Sequence, residues 1–312
     1  MTFKKPIIIY ATTRLEFGRH DGGLHWRQSQ WTKQKGKDDW QKWVFDLQTL
    51  ASTPNNIIAA SSLYDVAYIK YFSGVEAQHV PLWCGDCNID YDSIRAGNSL
   101  YQPYPRYLPV KNKFLIGPHR TNLNVLRNGT SIGPADDHPI MRSLRSVLLP
   151  RDSSATIASI SKEFPSHYSK AELCRYLGVI LVPDQVSSIS IMEYYRMNIP
   201  LFSPSISLLV QWYKEYGILW ERIYGWPEML YQQEDSLIPD PNEDSLYSFQ
   251  YWIRYADWYQ LPHVQLFDNY THLADLLENC DLQQISLSME EFNQIERSRL
   301  VGTWQTIFDK LR

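Results

Sequence analysis

The run Gly178-Val179-Ile180-Leu181-Val182 contains no polar side chain, and Pro183 ends it. A strand with one face in water alternates apolar and polar residues, whereas a strand buried on both faces in a parallel sheet is apolar throughout. Parallel neighbours need long crossover connections. The chain supplies them, because strand-like runs alternate with helical patterns along most of its length. The expectation is an α/β protein.

Strands are expected over 6–11, 56–60, 113–117, 155–160, 178–182 and 199–203. Helices are expected over 38–50, 61–72, 138–149, 169–173, 188–197, 205–216 and 286–312. In the first helix Asp38 supplies a cap, and Trp40, Trp43, Val44 and Leu47 recur at helical spacing. Gly74 marks the end of the second. Pro81, Pro103, Pro105 and Pro109 break regular structure before the strand at 113. A chain of 312 residues exceeds what one core usually supports. Two Rossmann-like, doubly wound domains are therefore expected, over 1–110 and 111–290, followed by a C-terminal helix over 291–312.

A net charge of −4 gives no field to attract nucleic acid. No run reaches the roughly 20 apolar residues of a spanning helix. The N-terminus lacks the pattern of a cleaved leader, so a cytoplasmic location is expected. Four cysteines, Cys84, Cys87, Cys174 and Cys280, are too sparse for a disulfide framework. The Cys84-Gly-Asp-Cys87 pair lacks a second ligand pair for zinc and reads as ordinary thiols.

The segment from 178 to 205 carries the most chemistry. Its strand stops at Pro183, a polar loop delivers Ser187 and Ser188 to a helix start, and Ser190 and Glu193 follow within the first turns. Amide groups at a helix start, with hydroxyls beside them, suit a diphosphate. A carboxylate on the same helix suits the vicinal hydroxyls of a ribose. The proline-bearing strand Ile199-Pro-Leu-Phe202 comes next.

In that order of strand, proline, serine cluster, glutamate and proline-bearing strand, the segment resembles the donor-binding half of glycosyltransferases of the GT-B architecture. The resemblance covers residues 111–312, and residues 1–110 as architecture, and implies that the helix over 291–312 returns to the first domain. It implies transfer of a sugar from a nucleotide-sugar donor, a UDP- or GDP-sugar, to a glycan or glycoconjugate acceptor without a metal cofactor. By position, Glu193 would hold the ribose, and Ser187, Ser188 and Ser190 the diphosphate. The acidic residue that many retaining members carry seven or eight positions earlier falls near Asp184 and Gln185, so the stereochemical outcome stays open.

The resemblance also asks for positive groups around the leaving diphosphate. Arg120, after the strand at 113, and Lys162, after the strand at 155, are the candidates. A base is needed from the first half, and the loop after the first strand lies where open α/β sheets bind ligands. Glu16 is favoured there, then Asp21, with His20 and His25 as further candidates. Arg14-Leu-Glu16 loosely matches an Arg-aromatic-Asp triplet of similar chains. Asp65 is a further option, or only a helix N-terminal charge.

Asp86, Asp90 and Asp92 lack the apolar strand that would make them a metal motif. Trp26, Trp31 and Trp83 suit acceptor stacking by their loop positions. Rival readings are a sugar-nucleotide epimerase of the same architecture and a non-catalytic nucleotide- or carbohydrate-binding protein. A nicotinamide enzyme is disfavoured, because no Gly-x-Gly-x-x-Gly follows either opening strand.

Overall fold

The structure, a computed structural model, describes residues 6–12, 34–82, 107–117, 139–148, 151, 156–165, 170–183, 185–216, 218–219, 237–241, 243 and 245–311. The chain divides into two compact units that interleave in sequence. The first is Met1–Leu82, Glu221–Asp257 and Glu296–Arg312; the second is Trp83–Trp220 and Trp258–Ile295. Both are α/β, and every strand pairing described is parallel.

In the first unit β1 (Ile8–Ala11), β2 (Ile57–Ala60) and β3 (Gln78–His79) form a sheet in that order, with α1 (Gln34–Ser52) and α2 (Leu63–Ser73) between them in sequence. β2 is central and wholly buried. Leu47 of α1 and Ile69 of α2 pack with Ala11, Ile58, Ala60 and Val75 into its core. Helix α2 starts where it does because Ser62 caps it: the Asp65 amide donates to Ser62 Oγ at 3.0 Å. It stops at Gly74, whose φ of 71° is a left-handed conformation open to a residue without Cβ.

The other side of α2 is aromatic. Tyr64 and Tyr71 each lie 5.7 Å, centroid to centroid, from Trp252 on α8 (Leu246–Ile253). The indole N–H of Trp252 donates to the Pro239 carbonyl at 2.7 Å, so its one polar atom is satisfied in a buried site.

The second unit holds β4 (Lys113–Gly117), β5 (Thr156–Ser159), β6 (Gly178–Leu181), β7 (Leu201–Pro204) and β8 (Gln265–Phe267), in the spatial order β5-β4-β6-β7-β8. Numbered within the unit, the order is 2-1-3-4-5, that of a doubly wound sheet. β6 is buried throughout, as its unbroken apolar run requires. Cover comes from α3 (Pro139–Leu148), α6 (Ile189–Arg196), α7 (Ile206–Tyr216) and α10 (Tyr270–Asn279), each with a buried apolar stripe.

Two short helices, α4 (Ile160–Glu163) and α5 (Lys170–Leu173), fall between β5 and β6, and α9 (Asp257–Gln260) precedes β8. Glu163 accepts from Lys113 Nζ at 2.6 Å and from the Tyr176 hydroxyl at 2.8 Å. The Lys113 ammonium holds its carboxyl below the usual carboxylate range, with the Tyr176 bond adding to the effect.

The last helix, α11 (Leu282–Lys310), belongs to both units, to the second through Ile295 and to the first from Glu296. Met289, Asn293, Glu296, Leu300 and Ile307 form its buried stripe at intervals of three, four and seven. Among the described residues, no helix is long and apolar enough to cross a membrane.

Candidate functional site

In a doubly wound sheet, ligands bind beyond the carboxyl ends of the strands, where the chain order reverses. In the second unit that point lies between β4 and β6. The turn from β6 to α6 crosses it, with Val182 and Pro183 buried and Gln185, Ser187 and Ser188 half-buried. Ser188 is the N-cap of α6, and its hydroxyl makes no bond to the first turn. The first amide to find a carbonyl one turn back is Met192, bonded to Ser188 O at 3.2 Å. Amides 189–191 precede it and have no such partner within the helix.

Ser190 and Glu193 are both half-buried and three residues apart, so they share one side of α6. The opposite side is locked into the unit by Ile191, Met192, Tyr194 and Tyr195. Its C-terminus is tied down as well. Arg196, 4% exposed, donates to Asn293 Oδ1 at 2.5 Å, and Asn293 Nδ2 donates to the Tyr195 carbonyl at 3.1 Å and to Asn198 Oδ1 at 2.7 Å. Ser187 and Ser188 thus lie on the turn before α6, and Ser190 and Glu193 on one side of the helix itself.

Lys162 lies on α4 after β5 and is exposed. One strand, β4, separates β5 from β6, which puts the two strand ends about 10 Å apart. The Ser159 hydroxyl is occupied as the cap of α4, accepting from the Lys162 amide at 3.2 Å. Past β7, Ser205 and Ser207 bring two more hydroxyls to the same edge, 2.9 Å apart. Arg120 and Asp184 fall outside the described residues, as do Arg14, Glu16, His20, Asp21, His25, Trp26, Trp31, Trp83, Cys84, Asp86, Cys87, Asp90 and Asp92.

Asp65 is described, and it is 3% exposed. Its carboxylate accepts from the Ser62 hydroxyl at 2.7 Å while its own amide bonds that hydroxyl, so this carboxylate works within the cap of α2. Cys174 is buried, 3.9 Å from the Met197 sulfur, and burial pushes its thiol up to about 12. Among the described residues, no cluster of three His, Cys, Asp or Glu side chains is arranged to hold a metal ion.

A second polar group, which the sequence did not single out, stands at the carboxyl edge of the first sheet. Ser61 follows β2, and His79 ends β3 opposite Ala60. The half-buried imidazole hydrogen-bonds the Ser61 backbone and faces Arg299 and Glu296. Burial and then the Arg299 guanidinium hold it below the usual histidine range; Glu296 and the Ser61 bond act in the opposite direction. Arg299 forks onto the buried Glu296 at 2.8 and 2.6 Å. The Ser61 hydroxyl is buried and has no partner among the described residues. Sequence reading missed this group because a two-residue strand, Gln78–His79, carries no apolar run to mark it.

The fold and these two edges define a parallel α/β protein. Compared with models of known protein families, with curated proteins and with solved structures, the chain matches none.

Proposed function

We propose that the protein is a glycosyltransferase of the GT-B type, built from two Rossmann-like units, which transfers a sugar from a UDP- or GDP-sugar to a hydroxyl of a glycan or glycoconjugate. The observation that carries the reading is the turn from β6 into α6. Three serines and one glutamate stand together at the carboxyl edge of a 2-1-3-4-5 sheet, beside its point of reversal. The helix start offers amides and hydroxyls to the diphosphate, assisted by a partial positive charge of roughly half a unit. Glu193, on the same side as Ser190, accepts from the two ribose hydroxyls. Lys162 and Arg120 stabilise the charge that builds on the departing nucleoside diphosphate.

Thermal shift with a panel of UDP- and GDP-sugars tests the reading, because a ligand that binds only the folded chain raises its melting temperature by mass action. One nucleotide class is expected to stabilise wild type and to stabilise Glu193→Ala much less at the same concentration. Release of nucleoside diphosphate only when a hydroxyl acceptor is present separates transfer from epimerisation. A panel with no stabilising sugar nucleotide would overturn it.

A further inference from the structure

We propose that Asn293 of α11 is a positioning residue for the sugar-nucleotide site: it fixes the last turn of α6 and thereby the direction in which Glu193 meets the ribose. The assignment rests on the glycosyl-transfer reading above. Every residue it uses belongs to the second unit. Its starting point is the way α6 ends. The Asn198 amide donates to the Tyr195 carbonyl at 3.0 Å, and the Ile199 amide donates to the Tyr194 carbonyl at 3.2 Å. Asn198 itself has a left-handed φ of 58°. These are the two bonds and the left-handed residue of a Schellman end, a position usually taken by glycine and sometimes by asparagine.

Here the asparagine side chain has a partner, because Asn198 Oδ1 accepts from Asn293 Nδ2 at 2.7 Å. The Asn293 amide is engaged on every side of this helix end. Its Oδ1 accepts from Arg196 Nη1 at 2.5 Å, and its Nδ2 also donates to the Tyr195 carbonyl at 3.1 Å. Asn293 is 7% exposed and Arg196 4%. One acceptor and two donors in use leave the amide a single orientation. Its bonds to residues 195, 196 and 198 surround the end of α6, so the helix can neither turn about its axis nor unwind there without breaking buried polar bonds.

Glu193 lies in the turn that these bonds close. Its carbonyl accepts from the Met197 amide at 3.0 Å, directly before the left-handed residue. A carboxylate that accepts from two ribose hydroxyls at once depends on its direction for both bonds. Groups that bind a ligand need support that locks them in place, and a small loss of that support is felt in affinity. The serines at the other end of the helix are held separately, with Val186 buried beside them and Ile191 buried in the first turn. Loosening the Asn293 clamp therefore displaces Glu193 and leaves Ser187 and Ser188 in place.

The test is a double-mutant cycle on the full chain, read by calorimetry with UDP or GDP, whichever raises the melting temperature of wild type. Asn293→Ala is expected to bind that nucleotide about 10-fold more weakly, at a temperature where the variant is folded. In the Glu193→Ala background the same substitution is expected to change affinity by less than about twofold, because its effect passes through that carboxylate. A residue that only stabilises the fold would not show this dependence on Glu193. Asn293→Asp retains an acceptor for the buried Arg196 and loses both N–H groups; it is expected to show the same loss, and it is the variant to read if Asn293→Ala does not fold. Wild-type affinity in a folded variant, or a loss that persists undiminished without Glu193, overturns the assignment and leaves the glycosyl-transfer reading intact. Wild type that binds no sugar nucleotide, UDP or GDP refutes that reading and this assignment together.

Discussion

Arg196 and Asn293 are bonded at 2.5 Å, although 97 residues separate them in sequence. Through this contact the last turn of α6 is clamped to α11 within the second unit. Arg196 is buried, and hydrogen bonds to buried charged groups are the expensive ones to break. Asn293→Ala also removes the donor to the Tyr195 carbonyl and Asn198. It is expected to lower stability by about 2–3 kcal/mol, read as a lower urea midpoint at unchanged slope.

Glu193 belongs to the same helix but is half-buried on its other side, next to Ser190. Glu193→Ala is expected to weaken sugar-nucleotide binding by about 10–100-fold, the loss of a charge-assisted pair of hydrogen bonds. The melting temperature of the ligand-free protein should move little. Calorimetry on the folded variant checks both, and unaltered affinity would remove Glu193 from the site.

His79 sets a pH dependence. Its pKa in the folded chain lies below the unfolded value of about 6.5, so between the two the unfolded chain binds more protons. The residue's contribution is complete above about pH 6.5 and is lost as the pH falls through the folded value. His79→Gln removes that dependence. Wild type should therefore lose stability relative to the variant between pH 7 and 5, as denaturant titrations at each pH would show.

Two glycines in the second sheet separate close backbone packing from side-chain packing. A Cβ on Gly178 would lie 2.7 Å from the Pro200 carbonyl oxygen and 3.1 Å from the Phe202 ring, and the carbonyl belongs to the backbone just before β7. On Gly117 it would lie 2.7 Å from the tip of the Ile160 side chain, which can turn aside. Gly178→Ala is expected to cost about 1–3 kcal/mol, and Gly117→Ala distinctly less. Thermal melts of the two variants side by side decide this.

Much of the local structure was legible in the residues. The strand expected at 113–117 is β4 as observed, and those expected at 178–182 and 199–203 agree with β6 and β7 within two residues. Gly74 ends α2, and Ser188 stands at the start of α6. These features rest on interactions among near neighbours: apolar periodicity, caps, and the dihedral freedom of one glycine. The grouping of Ser187, Ser188, Ser190 and Glu193 was readable for the same reason, since a single turn and one helix bring them together.

His79, Ser61 and the Arg299–Glu296 fork were not readable. Their chain segments lie more than 200 residues apart, and nothing local to any of them announces the others. The same holds for the second sheet's order, in which β6 lies on the far side of β4 from β5, and β8 joins β7 only after the intervening residues 205–264.

By itself, then, the sequence determined the α/β class, the places of β4, β6 and β7, and the polar turn that precedes α6, whereas the helix expected from a cap at Asp38 begins at Gln34. Tertiary structure alone decided which strands are neighbours, that segment 221–257 joins the first unit, and which distant polar groups meet at a sheet edge. The physical reason is the range of the forces involved. Helix and strand preferences act over a few residues, whereas pairing order and buried polar contacts follow from how whole apolar faces find cover, a sum over the entire chain.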